Sequence, residues 1–83
     1  MLDIKVLGGG CANCHKLEAL ARQAVQQLKL DAQVELVTDM QEIMRRGIMH
    51  TPALVINDKI VSTGRVPALS QVTTMIANAA GRN

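Results

Sequence analysis

Apolar positions along the chain follow two periods, and the changes between them mark its elements. Asp3 to Leu7 is a short, partly β-branched run closed by Gly8-Gly9-Gly10, the signature of a strand. Leu17, Leu20, Ala21, Ala24, Val25 and Leu28 then recur at helical spacing, while Lys16, Glu18, Arg22, Gln23 and Gln26 occupy the other faces. This pattern predicts an amphipathic helix starting near Ala12. From Ala32 to Val37 the period drops to two, with Ala32, Val34 and Leu36 alternating with Gln33 and Glu35, so one strand face is buried and one is wetter. Strand, helix and strand in succession predict a βαβ unit with parallel strands and a right-handed crossover.

The second half is read the same way. Thr38-Asp39 offers an N-cap, and Asp39 with Glu42 fits a capping box for a short helix over Met40 to Arg46, with Ile43 and Met44 inward and Gly47 at its C′ position. Ala53 to Ile56 is apolar throughout and is expected to be a central strand. Asn57-Asp58 is a tight hairpin turn, and Lys59 to Thr63 returns as a further strand. Pro67 is expected to open a last helix whose buried stripe is Leu69, Val72, Ile76 and Ala79, with Gly81-Arg82-Asn83 frayed. The order is β-α-β-α-β-β-α, an α/β fold in one domain over residues 1–83.

Composition narrows the function classes. About half the residues are apolar (48%), enough for a small core without cross-links or metal. Net charge is +2 with no basic cluster, and Phe, Tyr and Trp are all absent, which removes the stacking platforms of single-strand binding; no nucleic acid partner is expected. No apolar run approaches membrane-spanning length, and the N-terminus lacks the charged and apolar regions of a signal peptide. The chain therefore reads as a cytoplasmic protein with no membrane partner.

The chemistry concentrates in Gly8-Gly9-Gly10-Cys11-Ala12-Asn13-Cys14-His15, which holds both cysteines. The pair falls where a strand ends and a helix begins. Unpaired backbone N–H groups and the helix dipole there favour a thiolate, the reactive form of cysteine. Gly10, Ala12, Asn13 and His15 surround the pair and are the residues placed to tune it; a protonated His15 imidazole would favour the thiolate further. Met40, Met44, Met49 and Met75 read as gap-fillers in a core or groove without aromatics, with Met49 and His50 also candidates for a groove edge. Arg65 reads equally as a solvated loop charge or as a contact for a partner near the groove.

Cys11-x-x-Cys14 after the first strand, Thr51-Pro52-Ala53-Leu54-Val55-Ile56-Asn57 and Gly64-Arg65, in this element order, resemble the thioredoxin/glutaredoxin superfamily, and more narrowly its small redox-active disulfide proteins. The resemblance covers nearly the whole chain. It implies a minimal thioredoxin/glutaredoxin-like fold with a four-stranded mixed sheet and helices on both faces. It also implies a thiol–disulfide oxidoreductase in which Cys11 is the exposed nucleophile and Cys14 the buried resolving cysteine. Pro52 would be a cis-proline packed against them, and the Thr51 backbone would pair with an extended substrate segment. Disulfide-containing proteins and an upstream reductase are the implied partners; neither a cofactor nor a resident metal is required.

Some residues depart from the superfamily's pattern. No Trp precedes Cys11 and no Pro separates the cysteines. The buried acid that serves the second cysteine in thioredoxins has no clear counterpart, since the first strand carries only Asp3, at its far end. Gly64-Arg65-Val66 lacks an acid, which argues against glutathione binding. Two other chemistries compete for the cysteines. Cys11-Ala12-Asn13-Cys14-His15 matches a c-type haem attachment motif, but the strand content and the lack of both aromatics and an export signal oppose it. A soft metal or metalloid carrier would use the same thiolates. Metallochaperones, however, place a hairpin after the first helix, where this chain has the capping signal Thr38-Asp39.

Overall fold

A computed structural model of the chain describes residues 1–81. The elements are β1 (Leu2–Leu7), α1 (Ala12–Leu28), β2 (Ala32–Val37), α2 (Met40–Arg45), β3 (Ala53–Ile56), β4 (Lys59–Thr63) and α3 (Leu69–Ala79). They form one four-stranded sheet in the order β2-β1-β3-β4. β1 and β2 run parallel, from Leu2 opposite Ala32 to Leu7 opposite Val37. β3 is antiparallel to β1, with Leu7 opposite Ala53, and β4 is antiparallel to β3. The sheet is mixed, as the element order implied. Asn57 and Asp58 both take positive φ in the two-residue turn joining β3 to β4.

Alternation along the strands divides the core in two. Leu2, Ile4 and Val6 of β1, with Leu54 and Ile56 of β3, face Leu17, Ala21 and Ala24 of α1 and Val72 and Ile76 of α3. Leu7, Ala53 and Val55 point the other way, against Ile43 of α2 and Ile48. Helices therefore cover both faces. Each fully buried aliphatic side chain in these clusters contributes about 1.5–3 kcal/mol relative to leaving it in water.

Several boundaries and faces differ from the sequence expectations. β1 begins one residue earlier, at Leu2. α2 ends at Arg45 with Arg46 as its cap. Asp39 caps it by accepting from the Gln41 N–H, whereas Glu42 turns its carboxylate to Arg45 and Arg46, so the expected capping box gives way to ion pairs. Met44 does not face inward: it is 70% exposed, and Met40 and Met49 are also exposed, so three of the four supposed gap-fillers lie on the surface. Only Met75 packs against the core. Pro67 lies outside α3, which starts at Leu69 with Ala68 as N-cap, the Gln71 side chain accepting from the Ala68 N–H. Ala79 is exposed, and Ala80 packs against the core instead. Gly81 takes a left-handed turn; Arg82 and Asn83, where fraying was expected, lie outside the described residues.

Candidate active site

Parallel pairing with β2 and antiparallel pairing with β3 bring four chain segments to one end of the sheet. These are the exit from β1, the start of α1, the entry to β3 and the exit from β4. Both cysteines lie there. Cys11 is the N-cap of α1, and its Sγ accepts a hydrogen bond from the Cys14 N–H at 3.3 Å, one of the donors that a helix start leaves without an intrahelical partner. Cys14 opens the buried stripe of α1 that continues through Leu17, Ala21 and Ala24, so its side chain points into the protein. Cys11 is exposed, Cys14 is fully buried, both are free thiols, and their sulfurs are 2.6 Å apart.

The two environments drive the thiols in opposite directions. The hydrogen bond from the Cys14 side chain, followed by backbone N–H donors led by that of Cys14, lowers the Cys11 pKa. Burial raises that of Cys14, and the contact with Cys11 raises it further. Of the two, Cys11 is therefore the sulfur more readily deprotonated, and Cys14 the one that holds its proton longer.

The glycines before the pair have different tasks. Only Gly10 takes a positive φ (83°). Gly8 is buried, and a Cβ there would come within 2.2 Å of the Cys14 Sγ. The Cys14 sulfur therefore has room only because residue 8 has no side chain. The sequence pattern shows the three glycines only as the close of the first strand, not this contact. No signal in the sequence marks it, because Gly8 and Cys14 are six residues apart and meet only when β1 and α1 are packed.

Thr51 and Pro52 come to the same place. The Cβ of Thr51 would lie 3.7 Å from a Cβ on Gly8, and the Thr51–Pro52 peptide is cis. Pro52 is buried and its carbonyl accepts from the Gly64 N–H at 3.0 Å, extending the β3–β4 ladder by one step. Thr51 is exposed, and among the described residues its backbone N–H and C=O have no partner. His50 packs on Gly64, where a Cβ would be 3.0 Å from that of His50. Met49 is 89% exposed beside it in the chain.

The remaining candidates stand around this centre. Ala12 and Asn13 form the exposed first turn of α1. His15 donates its backbone N–H to the Cys11 carbonyl, but its imidazole turns along the helix to Glu18, 3.7 Å away. Asp3 lies at the opposite end of the sheet, where it pairs with Lys5 and exchanges hydrogen bonds with Asn57. It is far from Cys14. Among the described residues, no cluster of three or more His, Cys, Asp or Glu is arranged to hold a metal ion. Among the described residues, no helix is long and apolar enough to cross a membrane.

Comparison with known proteins gives the family. Residues 2–77 match the thioredoxin domain family. The chain is 34% identical over 77 residues to a thioredoxin of Methanothermobacter thermautotrophicus, an alignment covering 93% of this chain and all of the relative. It is 32% identical over 72 residues to a thioredoxin of Methanocaldococcus jannaschii, covering 87% of this chain and 83% of the relative. The chain belongs to the thioredoxin domain family and has its fold, that of a family of thiol–disulfide oxidoreductases.

Proposed function

Starting from that membership, we propose that the protein reduces disulfides of protein partners in the cytoplasm through the Cys11–Cys14 pair. The observation that carries the reading is the asymmetry of the two sulfurs, one exposed and held toward the thiolate, the other buried and held as the thiol. The Cys11 thiolate attacks one sulfur of a partner disulfide, forming a mixed disulfide and expelling the partner's other sulfur as a thiolate, which takes up a proton. Cys14 gives up its proton and attacks the Cys11 Sγ, releasing the partner's second thiol. The partner gains two electrons, and Cys11 and Cys14 are left as a disulfide. An upstream dithiol reductase returns the two electrons.

The open Thr51 N–H and C=O support a role in aligning an extended partner segment beside the sulfurs, since main-chain pairing with an unpaired edge is tolerant of sequence. Pro52 holds that segment's floor by closing the β3–β4 ladder at Gly64. The test is turnover of a peptide disulfide with dithiothreitol as terminal reductant. Wild type should accelerate it over dithiothreitol alone, and Cys11→Ser should not. Equal rates with and without wild type would contradict the reading.

A further inference from the structure

We propose that Arg65 is a specificity-determining residue that selects partner segments carrying a carboxylate close to their disulfide. The proposal rests on the disulfide-exchange reading above and adds the chemistry of what is bound. The β3–β4 ladder places Ala53 opposite Thr63, and the next rung is the Gly64 N–H bonded to the Pro52 carbonyl. The residue after Gly64 therefore leaves the ladder next to the Pro52 rung, one residue from the open Thr51 backbone, where Gly64 turns the chain with a φ of 73°. That residue is Arg65, and it is exposed.

Its charge is not committed elsewhere. Glu18 holds Arg22, Glu42 holds Arg45 and Arg46, and Arg46 also reaches Asp58. Among the described arginines, Arg65 alone has neither a carboxylate nor any other hydrogen-bond partner. The surrounding segments offer none: residues 8–17 and 43–57 contain no Asp or Glu, and none occurs after Asp58. Asp39 follows β2, at the edge of the sheet away from β4, and caps α2, while Glu18 is paired with Arg22. His15, Lys16, Arg45, Arg46 and His50 add no negative charge to the site segments, whose only acidic side chains are the two thiols, with Cys11 the one favoured as an anion. A partner's Asp or Glu near its cystine would meet an unpaired guanidinium that presents a planar fork of donors, whereas a Lys there would be repelled.

The test uses three peptide disulfides that differ only in the residue flanking one cysteine: Asp, Ser or Lys. Each rate constant is divided by that for dithiothreitol acting on the same peptide, which removes the effect of the flanking charge on the disulfide itself. Wild type should favour the Asp peptide over the Lys peptide by about three- to ten-fold in kcat/KM at low salt, with the ratio shrinking toward one by about 0.5 M salt. Arg65→Lys should keep most of the preference, Arg65→Gln should abolish it, and Arg65→Glu should reverse it. Equal normalised rates in wild type, or a preference that survives in Arg65→Gln, would overturn the proposal while leaving the exchange reading intact. Failure of wild type to reduce any of the three would instead remove the exchange reading, and this proposal with it.

Discussion

Cys14 and Gly8 form a single fitted contact: the sulfur occupies the space that a side chain on residue 8 would need. Gly8→Ala should therefore lower stability by about 1–3 kcal/mol, as overpacking of a tight interior does, and should slow disulfide turnover by displacing Cys14. Gly9→Ala is the control. Nothing lies within 4 Å of a Cβ at that position and its φ is not positive, so the change should stay within about 0.5 kcal/mol. Paired thermal melts of the reduced proteins measure both. The opposed shifts of the two thiols make a second prediction. A thiol reacts as its thiolate, so alkylation slows as pH falls through its pKa. With the Cys11 pKa lowered and the Cys14 pKa raised, iodoacetamide should label Cys11 first. Its rate should also hold to a lower pH than that of a free cysteine, whose pKa is about 8.5. Mass mapping after brief treatment across a pH series would show this, and preferential labelling of Cys14 would reverse the roles assigned to the pair.

Elements differ in how far their sequence determined them. In α1 a seventeen-residue amphipathic run fixes both the helix and the face it buries, and Cys14 falls three residues before Leu17 on that face. Its burial, which the resemblance implied, agrees with that spacing. α2 is only six residues long, too short for a period to distinguish neighbouring directions, and Met44 was placed inward although Ile43 alone carries the contact. The exposure of Ala79 has a related cause. Near the end of α3 the last core contact passes to Ala80, a choice of packing that an alanine-rich sequence does not encode. The Gly8 contact was illegible for another reason: it joins a strand exit to a helix six residues on and exists only once both are packed. The difference within α2 can be measured. Ile43 packs with Leu7, Ala53 and Val55, the residues that anchor the exit of β1 and the entry to β3 beneath the site. Ile43→Ala should cost about 2–5 kcal/mol, whereas Met44→Ala should change stability by no more than about 0.5 kcal/mol. Urea denaturation followed by circular dichroism suits a chain without Trp or Tyr; equal losses for the two variants would contradict the orientation of α2.

At the scale of the whole molecule, sheet order brings together residues far apart in sequence. β1 and β3 are adjacent although α1, β2 and α2 intervene, so Cys11 and Cys14 meet Thr51 and Pro52 at one end of the sheet. β4 then brings Gly64 and Arg65 to the same end. Asp3, the one acid of β1, is carried to the opposite end, so that strand brings no carboxylate to Cys14. The resemblance carried by the element order, the C-x-x-C and Thr51-Pro52 implied this convergence; the unpaired state of Arg65 required the positions of every carboxylate around it. The account as a whole depends on Cys11 attacking and Cys14 resolving. Reaction of reduced Cys14→Ser with a peptide disulfide, followed by peptide mapping of the product under nonreducing conditions, tests that order most directly. The predicted result is a stable one-to-one mixed disulfide at Cys11, while Cys11→Ser, exposing only a buried thiol, forms little or none. An adduct that forms readily at Cys14 in Cys11→Ser, or no adduct at Cys11 in Cys14→Ser, would contradict the account.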